Sequence, residues 1–120
     1  MLVGDWSASS GYDLGRELAA DPELTAVFCG NDTMALGVMR AMAERGLRVP
    51  RDVSIVGFDD VPDAGFYTPP LTTVRQDFGE VGRRALRTVI DRMSGAIEAG
   101  LRVRIAPELV IRASAAGPRR

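Results

Sequence analysis

The feature that most constrains this chain is a strand–helix–strand pattern in its first half. An unbroken apolar run at 25–30 is followed by a helical segment at 33–45 and by a second apolar, β-branched run at 53–57. Two apolar strands joined by one helix over so short a stretch form a βαβ unit, in which the strands are parallel. Because neither run alternates with polar residues, the pattern predicts a parallel sheet covered on both faces. The sequence therefore indicates an α/β fold.

Shorter signals predict the remaining elements. Ser7, Ser9 or Ser10 can cap a helix that runs to about Ala20. The helix ends there because Pro22 disfavours helical geometry in the residue before it. The other predicted elements are a long amphipathic helix at 78–93 and short strands at 1–3, 71–74, 103–105 and 109–111. Strands that alternate with helices in this way extend the parallel α/β arrangement.

The helix at 33–45 is apolar around nearly its whole circumference. A helix with this pattern is usually buried on two sides. One side can pack on the sheet, and the other needs a second cover. Two sources of that cover stay open at this point, namely another part of the same chain and a partner subunit.

Composition narrows the chemistry that is open to the chain. All fifteen basic residues are Arg, and the absence of His and Lys excludes histidine triads, histidine metal sites and Schiff-base catalysis. The net charge of −1 attracts neither nucleic acid nor an acidic membrane, and no apolar run is long enough for a membrane span. The single cysteine, Cys29, lies in an apolar run, which predicts a buried structural thiol in a reducing cytoplasm. We expect no metal and no cofactor.

Polar and aromatic residues follow three predicted strands at their carboxyl ends. They are Trp6, Asn31 and Asp59. In open parallel sheets, ligands bind in the crevice beyond these strand ends. A tryptophan ring offers a flat apolar surface for the C–H face of a pyranose, and Asn and Asp supply fixed donors and acceptors for hydroxyl groups. The pattern therefore favours a sugar-binding site at this edge.

Each of these residues also has a purely structural interpretation. Trp6 can be a core anchor or a surface aromatic, and Asn31 or Asp32 can be no more than a helix cap. Asp59 and Asp60 can be turn residues whose side chains satisfy their own backbone. As adjacent residues they point apart, which makes them a poor general acid–base pair. Binding is favoured because three candidate groups occur at equivalent strand ends.

Four segments together resemble a known family. They are GDWSASSGYDLG (4–15), AVFCGNDTMALGVMRAMAERGLRVPRDVSIVGFDD (26–60), FYTPPLTTVRQDFGEVGRRA (66–85) and PELVIRAS (107–114). In this order they are similar to the C-terminal half of LacI/GalR transcription regulators, over nearly the whole chain. The combination of NDxMALG, RVPxDVSIVGFDD and PPLTTVRQD is specific to that family, whereas one of these motifs alone would not be.

The resemblance implies a periplasmic-binding-protein-like type I fold in which two α/β lobes close over a small effector. Residues 1 to about 70 would form mainly the C-terminal lobe, the helix at 78–93 would cross to the other lobe, and the last strand would return. The chain would thus hold a partial effector-binding and dimerisation domain at 1–113, followed by a fraying tail at 114–120.

The resemblance also assigns roles to residues. Trp6, of the GDW turn, would stack on the effector, and Asn31 and Asp59 would hydrogen-bond to it, whereas Asp32 and Asp60 would be structural. A Trp rather than a Phe at position 6 favours a sugar over a purine.

The helix at 33–45 contains the MALG motif. This helix and the Phe66-Tyr67 segment resemble the family's dimer interface. The residues assigned to it are Leu36, Met39, Phe66 and Tyr67. Family members bind operator DNA through an N-terminal helix-turn-helix, for which this chain has no equivalent. We therefore expect the chain alone not to bind DNA, and to bind sugar weakly or not at all.

Two other functions were weighed against a cytoplasmic, homodimeric repressor. A sugar-binding receptor of a transport system shares the two-lobed fold, but the DVSIVGFDD to PPLTTVRQDF stretch and Cys29 favour the regulator. A carboxylate enzyme built on Asp59 and Asp60 would need a nucleophile, a metal cluster or a cofactor loop, and the sequence offers none of these beside the pair. We therefore expect a non-enzymatic sensor.

Overall fold

The computed structural model describes residues 1–96 and 104–117. Its elements in chain order are α1 (Ala8–Leu18), β1 (Ala26–Phe28), α2 (Asp32–Glu44), β2 (Ser54–Asp59), a short 3-10 helix (Pro62–Phe66), β3 (Thr72–Arg75), α3 (Phe78–Met93) and β4 (Glu108–Val110). The chain divides into two compact units, of which the first comprises Met1–Arg75 and Leu109–Arg120 and the second Gln76–Glu108.

The strands form one sheet, in which the first three are parallel as predicted. Its strand order is β1-β2-β3-β4, and the β1–β2 and β2–β3 pairs are both parallel. The helix between β1 and β2 begins at the cap residue Asn31, whose side chain accepts a hydrogen bond from the backbone N–H of Met34, and Gly46, with φ of 76°, follows its end. The prediction of a parallel α/β fold is therefore confirmed.

The second cover of α2 comes from the same chain. On one side its residues Ala35, Met39 and Met42 join β2 and the segment before β3 in the hydrophobic core. On the other side the helix packs directly on α1, and a Cβ added at Gly37 would lie 2.5 Å from the backbone nitrogen of Tyr12. The close approach of two backbones requires glycine here. The second side of α2 is thus covered by α1, while Leu36 of the same helix stays 42% exposed.

The prediction that both faces of the sheet are covered is wrong in one respect. The face that carries Ile55 is buried under α2, but the opposite face carries Phe28, which is 65% exposed, and Phe58, which packs edge-on against it with ring centroids 6.4 Å apart. The apolar runs do form strands with apolar residues on both faces. However, β1 is an edge strand, and its outer face is open.

The C-terminal segment does not fray where predicted. Ser114 is fully buried: its hydroxyl donates to the carbonyl of Ile55 at 2.6 Å and accepts from the N–H of Thr72 at 2.7 Å. The hydroxyl therefore bridges the starts of β2 and β3. Ala116 continues the contact through its N–H, which donates to the hydroxyl of Ser54 at 3.1 Å. The ordered part of the domain extends at least to residue 116.

Residues 1–3 form no strand, although one was predicted there. Of the strand predicted at 103–105, Arg104 and Ile105 are irregular, and Val103 lies outside the described residues. The long helix begins and ends at the predicted residues, because Asp77 accepts from the N–H of Glu80 at one end and Gly95 adopts φ of 74° after the other. Its apolar stripe is exposed, as Val89 shows at 53%.

Candidate functional site

The register of the sheet places the predicted site residues at one edge. Val27 pairs with Ile55 and Phe28 with Val56, so β1 and β2 run in the same direction towards Asn31 and Asp59. Asp59, the last residue of β2, is paired with Arg75, the last residue of β3. The carboxyl ends of three adjacent parallel strands therefore lead to the same side of the molecule, where ligands bind in folds of this class.

Trp6 reaches this edge through a strained turn before α1. Its φ is 72°, and its side chain is 66% exposed. Asn31 Nδ2 donates to the Trp6 carbonyl at 3.0 Å, and a Cβ added at Gly30 would lie 3.3 Å from the indole ring. The ring thus lies against the β1–α2 turn, which excludes the core-anchor interpretation and leaves an indole face open.

Asp5 fixes the start of the same turn. Its carboxylate accepts hydrogen bonds from the backbone N–H and the hydroxyl of Ser7, at 3.0 and 2.5 Å. These bonds and the interaction with Ser10 stabilise the charged form, which lowers the pKa of Asp5 to about 2. Ser7 in turn caps α1, since its hydroxyl accepts from the N–H of Ser10 at 3.0 Å.

Asn31 has the structural role that was weighed against binding. Its Oδ1 accepts from the N–H of Met34 at 2.7 Å, while Nδ2 donates to Trp6. A carboxamide has two N–H donors and two acceptor lone pairs. One donor and one lone pair are used by the protein, so the other two can serve a ligand. The cap interpretation and the binding interpretation are therefore compatible.

The structure separates the two aspartates that end β2. Asp59 has φ of 109° and is half-buried, whereas the side chain of Asp60 is only 7% exposed and lies between two arginines. Asp60 Oδ2 is 2.7 Å from Arg75 Nε, and Oδ1 is 2.6 Å from Arg112 Nη2. Burial raises the pKa of Asp60, but the hydrogen bonds and charges of the two guanidinium groups outweigh it and lower the pKa. Asp60 is thus a buried anion that ties elements together.

Asp32 is also a structural residue. It is fully buried at the first turn of α2, where it accepts from the hydroxyl of Thr73 and from the N–H of Val61 at 2.8 Å. An added Cβ at Gly57 would collide with its Oδ1, so β2 passes close over the carboxylate. Asp32 therefore joins α2, β3 and the segment after β2, which agrees with the structural role expected for it.

The residues predicted for the dimer interface do not share one environment. Leu36 is 42% exposed on α2, and Phe66 is 86% exposed at the end of the 3-10 helix. Tyr67 is half-buried against the core. Met39 is only 5% exposed because it packs in the core cluster, so its side chain is not available to a partner. The inclusion of Met39 in the interface is therefore corrected.

Arg75 and Arg112 were missed by the sequence analysis. Both hold the buried carboxylate of Asp60, but they come from β3 and from the segment after β4. The local signal for Arg75 was its charge within the segment TTVRQD. Nothing near Arg112 in the sequence indicated its partner.

Cys29 is the buried thiol that the sequence predicted. Burial and the nearby charge of Asp32 raise its pKa to about 12, so the thiol is protonated and unreactive at neutral pH. Within residues 1–96 and 104–117, no three His, Cys, Asp or Glu side chains come close enough together to hold a metal ion. Over the same residues, none of the helices has both the length and the apolar character that a membrane span needs.

The sheet and its edge define a class of protein, the open α/β domains in which loops at the carboxyl ends of parallel strands face a ligand crevice. The model of one family, the periplasmic binding protein-like domain, matches residues 3–115. The chain belongs to this family.

Individual relatives indicate a narrower group within this family. The repressor PurR of Haemophilus influenzae is 42% identical over 118 residues, which are 95% of this chain and 35% of that protein. A Lac repressor dimer bound to operator and the anti-inducer ONPF aligns with a TM-score of 0.87 and 40% identity, over 93% of this chain and 39% of that one. A LacI family regulator from Arthrobacter sp. FB24, in complex with lactose, aligns with a TM-score of 0.85 and 32% identity, over 94% of this chain and 44% of that one.

These comparisons confirm the predicted homology to LacI-family repressors over most of the chain. The relatives are regulators rather than enzymes, and they do not favour the transport-receptor alternative. The chain spans about a third of the length of the curated relatives it matches, as the 35% share of the Haemophilus protein illustrates.

Proposed function

We propose that this chain is the effector-sensing and dimerisation part of a LacI-family transcription regulator in the cytoplasm, and that its effector is a sugar. The observation that carries the proposal is the indole of Trp6, which is 66% exposed while its turn is held by Asn31. An exposed aromatic ring beside hydrogen-bonding groups at the carboxyl ends of parallel strands suits the apolar face and the hydroxyl rim of a sugar.

Three residues would contact the effector. Trp6 would stack on the C–H face of the sugar ring, and the free donor and lone pair of Asn31 would bind hydroxyl groups. Asp59 would accept further hydroxyl hydrogen bonds. A ligand that lacks one of these hydroxyls would leave a polar group of the site unpaired, which gives discrimination among sugars.

The sensing mechanism would be a shift between two conformations of the whole regulator. An effector changes operator affinity only if it binds the two conformations with unequal affinity. Operator contact itself would come from a helix-turn-helix outside this chain. Dimerisation would use the exposed side chains of Leu36 and Phe66, with Tyr67 behind them.

The choice of effector can be tested by nuclear magnetic resonance, because Trp6 is the one tryptophan and supplies one indole N–H signal. The ¹⁵N-labelled chain is titrated with millimolar lactose, cellobiose or adenine. We expect a sugar to shift the Trp6 indole signal and the amide signals of Asn31 and Asp59, whereas adenine leaves them in place. The Asp59→Asn variant should lose the sugar-induced shifts and keep the fold.

The opposite results contradict the proposal in different ways. Shifts with adenine alone would make the effector a nucleobase. Sugar-induced shifts confined to residues far from Trp6 would remove the site from this edge of the sheet. Arg16→Gln, on the exposed surface of α1, is the matched control and should titrate like the unchanged chain.

A further inference from the structure

The turn that carries Asp59 is strained at two consecutive residues. Asp59 has φ of 109° and Asp60 has φ of 56°, and neither is a glycine. Such conformations are costly for residues with a Cβ, and they persist only when the surrounding structure holds them in place. Something other than the local sequence must therefore maintain this turn.

Three contacts hold the turn after Asp59. The carboxylate of Asp60 forms ion pairs with Arg75 at 2.7 Å and with Arg112 at 2.6 Å. The next backbone N–H, of Val61, donates to the carboxylate of Asp32 at 2.8 Å. The Asp60 carboxylate cannot swing away without leaving a buried charge uncompensated.

Arg112 is the more rigid of the two arginines. Its Nη1 donates to the carbonyl of Leu71 at 2.8 Å, and its backbone N–H donates to the hydroxyl of Thr72 at 2.9 Å. Its side chain is 22% exposed, against 47% for Arg75. A guanidinium that is already fixed to the start of β3 loses little further freedom when it also binds Asp60. Its Nη1 makes the hydrogen bond to Leu71, while its Nη2 lies close enough to Asp60 Oδ1 for an ion pair, although the two atoms are not aligned as a hydrogen bond.

We propose that Arg112 is a positioning residue for the effector site. Through the buried carboxylate of Asp60, it holds residues 59 and 60 in the left-handed conformation that presents Asp59 to the ligand. The inference rests on the proposed role of Asp59 as an effector contact. It makes the segment after β4 a part of the site, although no residue of that segment would touch the ligand.

The conformation of the turn can be measured separately from ligand binding. A residue with positive φ shows a strong nuclear Overhauser effect between its own amide and α protons. We expect the Arg112→Gln and Asp60→Asn variants of the labelled chain to lose this signature at residues 59 and 60, with the core signals of Ile55 and Met42 unchanged.

Two further variants make the measurement specific. Arg48→Gln removes an exposed ion pair with Asp52 in the same unit and should leave residues 59 and 60 unaffected. Arg75→Gln should perturb the turn less than Arg112→Gln, since Arg75 is the more exposed partner. If Arg112→Gln does not fold, Asp60→Asn still decides the question, because it leaves Arg112 with its contacts to β3.

The result that overturns the inference is retention of the positive-φ signature in both Arg112→Gln and Asp60→Asn. The contact between Asp32 and Val61 would then be sufficient to hold the turn. Loss of the signature in Arg48→Gln as well would also overturn it, because the effect would not be specific to this ion pair.

Ligand binding gives an independent readout. The probe is lactose or cellobiose, and the titration is followed at the signal of Asp59. We expect Arg112→Gln to lower the apparent affinity for the probe by about tenfold, as is typical when the support of a contacting residue is removed. Unchanged affinity in a variant that has lost the turn would overturn the positioning role. If no probe shifts Asp59 in the unchanged chain, the proposed effector contact fails, while the turn measurement still tests Arg112.

Discussion

At the scale of single residues, Asn31 shows how one side chain serves the fold and a binding site together. The oxygen of its side-chain amide caps α2, and the nitrogen of the same amide donates to the carbonyl of Trp6, whose φ is 72°. The helix start and the aromatic ring are therefore positioned by the same residue. A change at Asn31 must affect stability through the cap and the site through Trp6.

These two effects can be separated with a pair of variants. Asn31→Ala should lower the free energy of unfolding by about 1 kcal/mol, because the N–H of Met34 loses its cap. Asn31→Asp keeps an oxygen acceptor for that N–H, so its stability should stay close to that of the unchanged chain. Urea titrations followed by circular dichroism measure both.

The indole signal of Trp6 provides the second readout for this pair. A carboxylate at position 31 cannot donate to the Trp6 carbonyl, so both variants should shift and broaden the indole N–H signal. An indole signal that is unchanged in Asn31→Asp would show that the hydrogen bond to Trp6 does not position the ring.

At the scale of elements, the packing of α1 on α2 depends on glycines. Gly11 and Gly15 of α1 and Gly37 of α2 are all buried, and a Cβ added at Gly11 would lie 2.7 Å from the Cα of Met34. Small residues at the crossing let the two helices come closer than ordinary side chains allow. This contact satisfies the second apolar side of α2, which the sequence analysis left open between this chain and a partner.

The glycine contact predicts opposite effects for the same substitution in two helices. Gly37→Ala should lower the free energy of unfolding by about 1–3 kcal/mol, because the added methyl group clashes with backbone atoms of α1. Gly82→Ala, in α3, meets nothing within 4 Å and should stabilise its helix by up to about 1 kcal/mol through helix propensity. Urea titrations of both variants test this, and a neutral Gly37→Ala would contradict the close-packed crossing.

At the same scale, the strands show that the sequence pattern does not predict whether a face of the sheet is exposed. The apolar runs at β1 and β2 predicted strands with two apolar faces, and Phe28 and Phe58 do lie on the face opposite Ile55. What the pattern could not tell is whether another element covers that second face. Periodicity reports the polarity of each face, and only the packing of other elements determines its exposure.

At the scale of the whole molecule, several large apolar side chains of the described residues are exposed. Leu36 and Phe66 lie on the first unit, and Leu86, Val89 and Ile90 lie on the second, with exposed fractions from 42% to 86%. Large exposed apolar patches mark interaction surfaces or lead to aggregation. We therefore expect the purified chain to associate. Leu36 and Phe66 should mediate dimerisation, and the exposed residues of α3 should mediate larger assembly.

Sedimentation velocity over a range of concentrations can distinguish the two kinds of association. Leu36→Glu should remove the dimer, since a carboxylate would have to be buried in an apolar interface. Val89→Glu should reduce the larger species and leave the dimer in place. A dimer that survives Leu36→Glu would contradict the proposed interface on α2.

The sequence by itself determined the order and type of the main elements, because their signals are local. Caps such as Asn31, stops such as Gly46 and the apolar stripe of α3 each act within a few residues of the chain. The family motifs in addition pointed to Trp6, Asn31 and Asp59, of which Asn31 and Asp59 lie at strand ends and Trp6 lies beside them. For the same reason the boundaries of α3 were predicted correctly.

Only the tertiary structure decided which neighbouring residues differ in role. Asp59 and Asp60 are adjacent and chemically identical, yet one is half-exposed and the other is buried between Arg75 and Arg112. The hydroxyl of Ser114 that bridges β2 and β3 was likewise not visible in the sequence, which predicted a frayed tail. These contacts join residues that are 15 to 59 positions apart. A local pattern holds no information about such partners, because burial and pairing arise only when distant segments pack together.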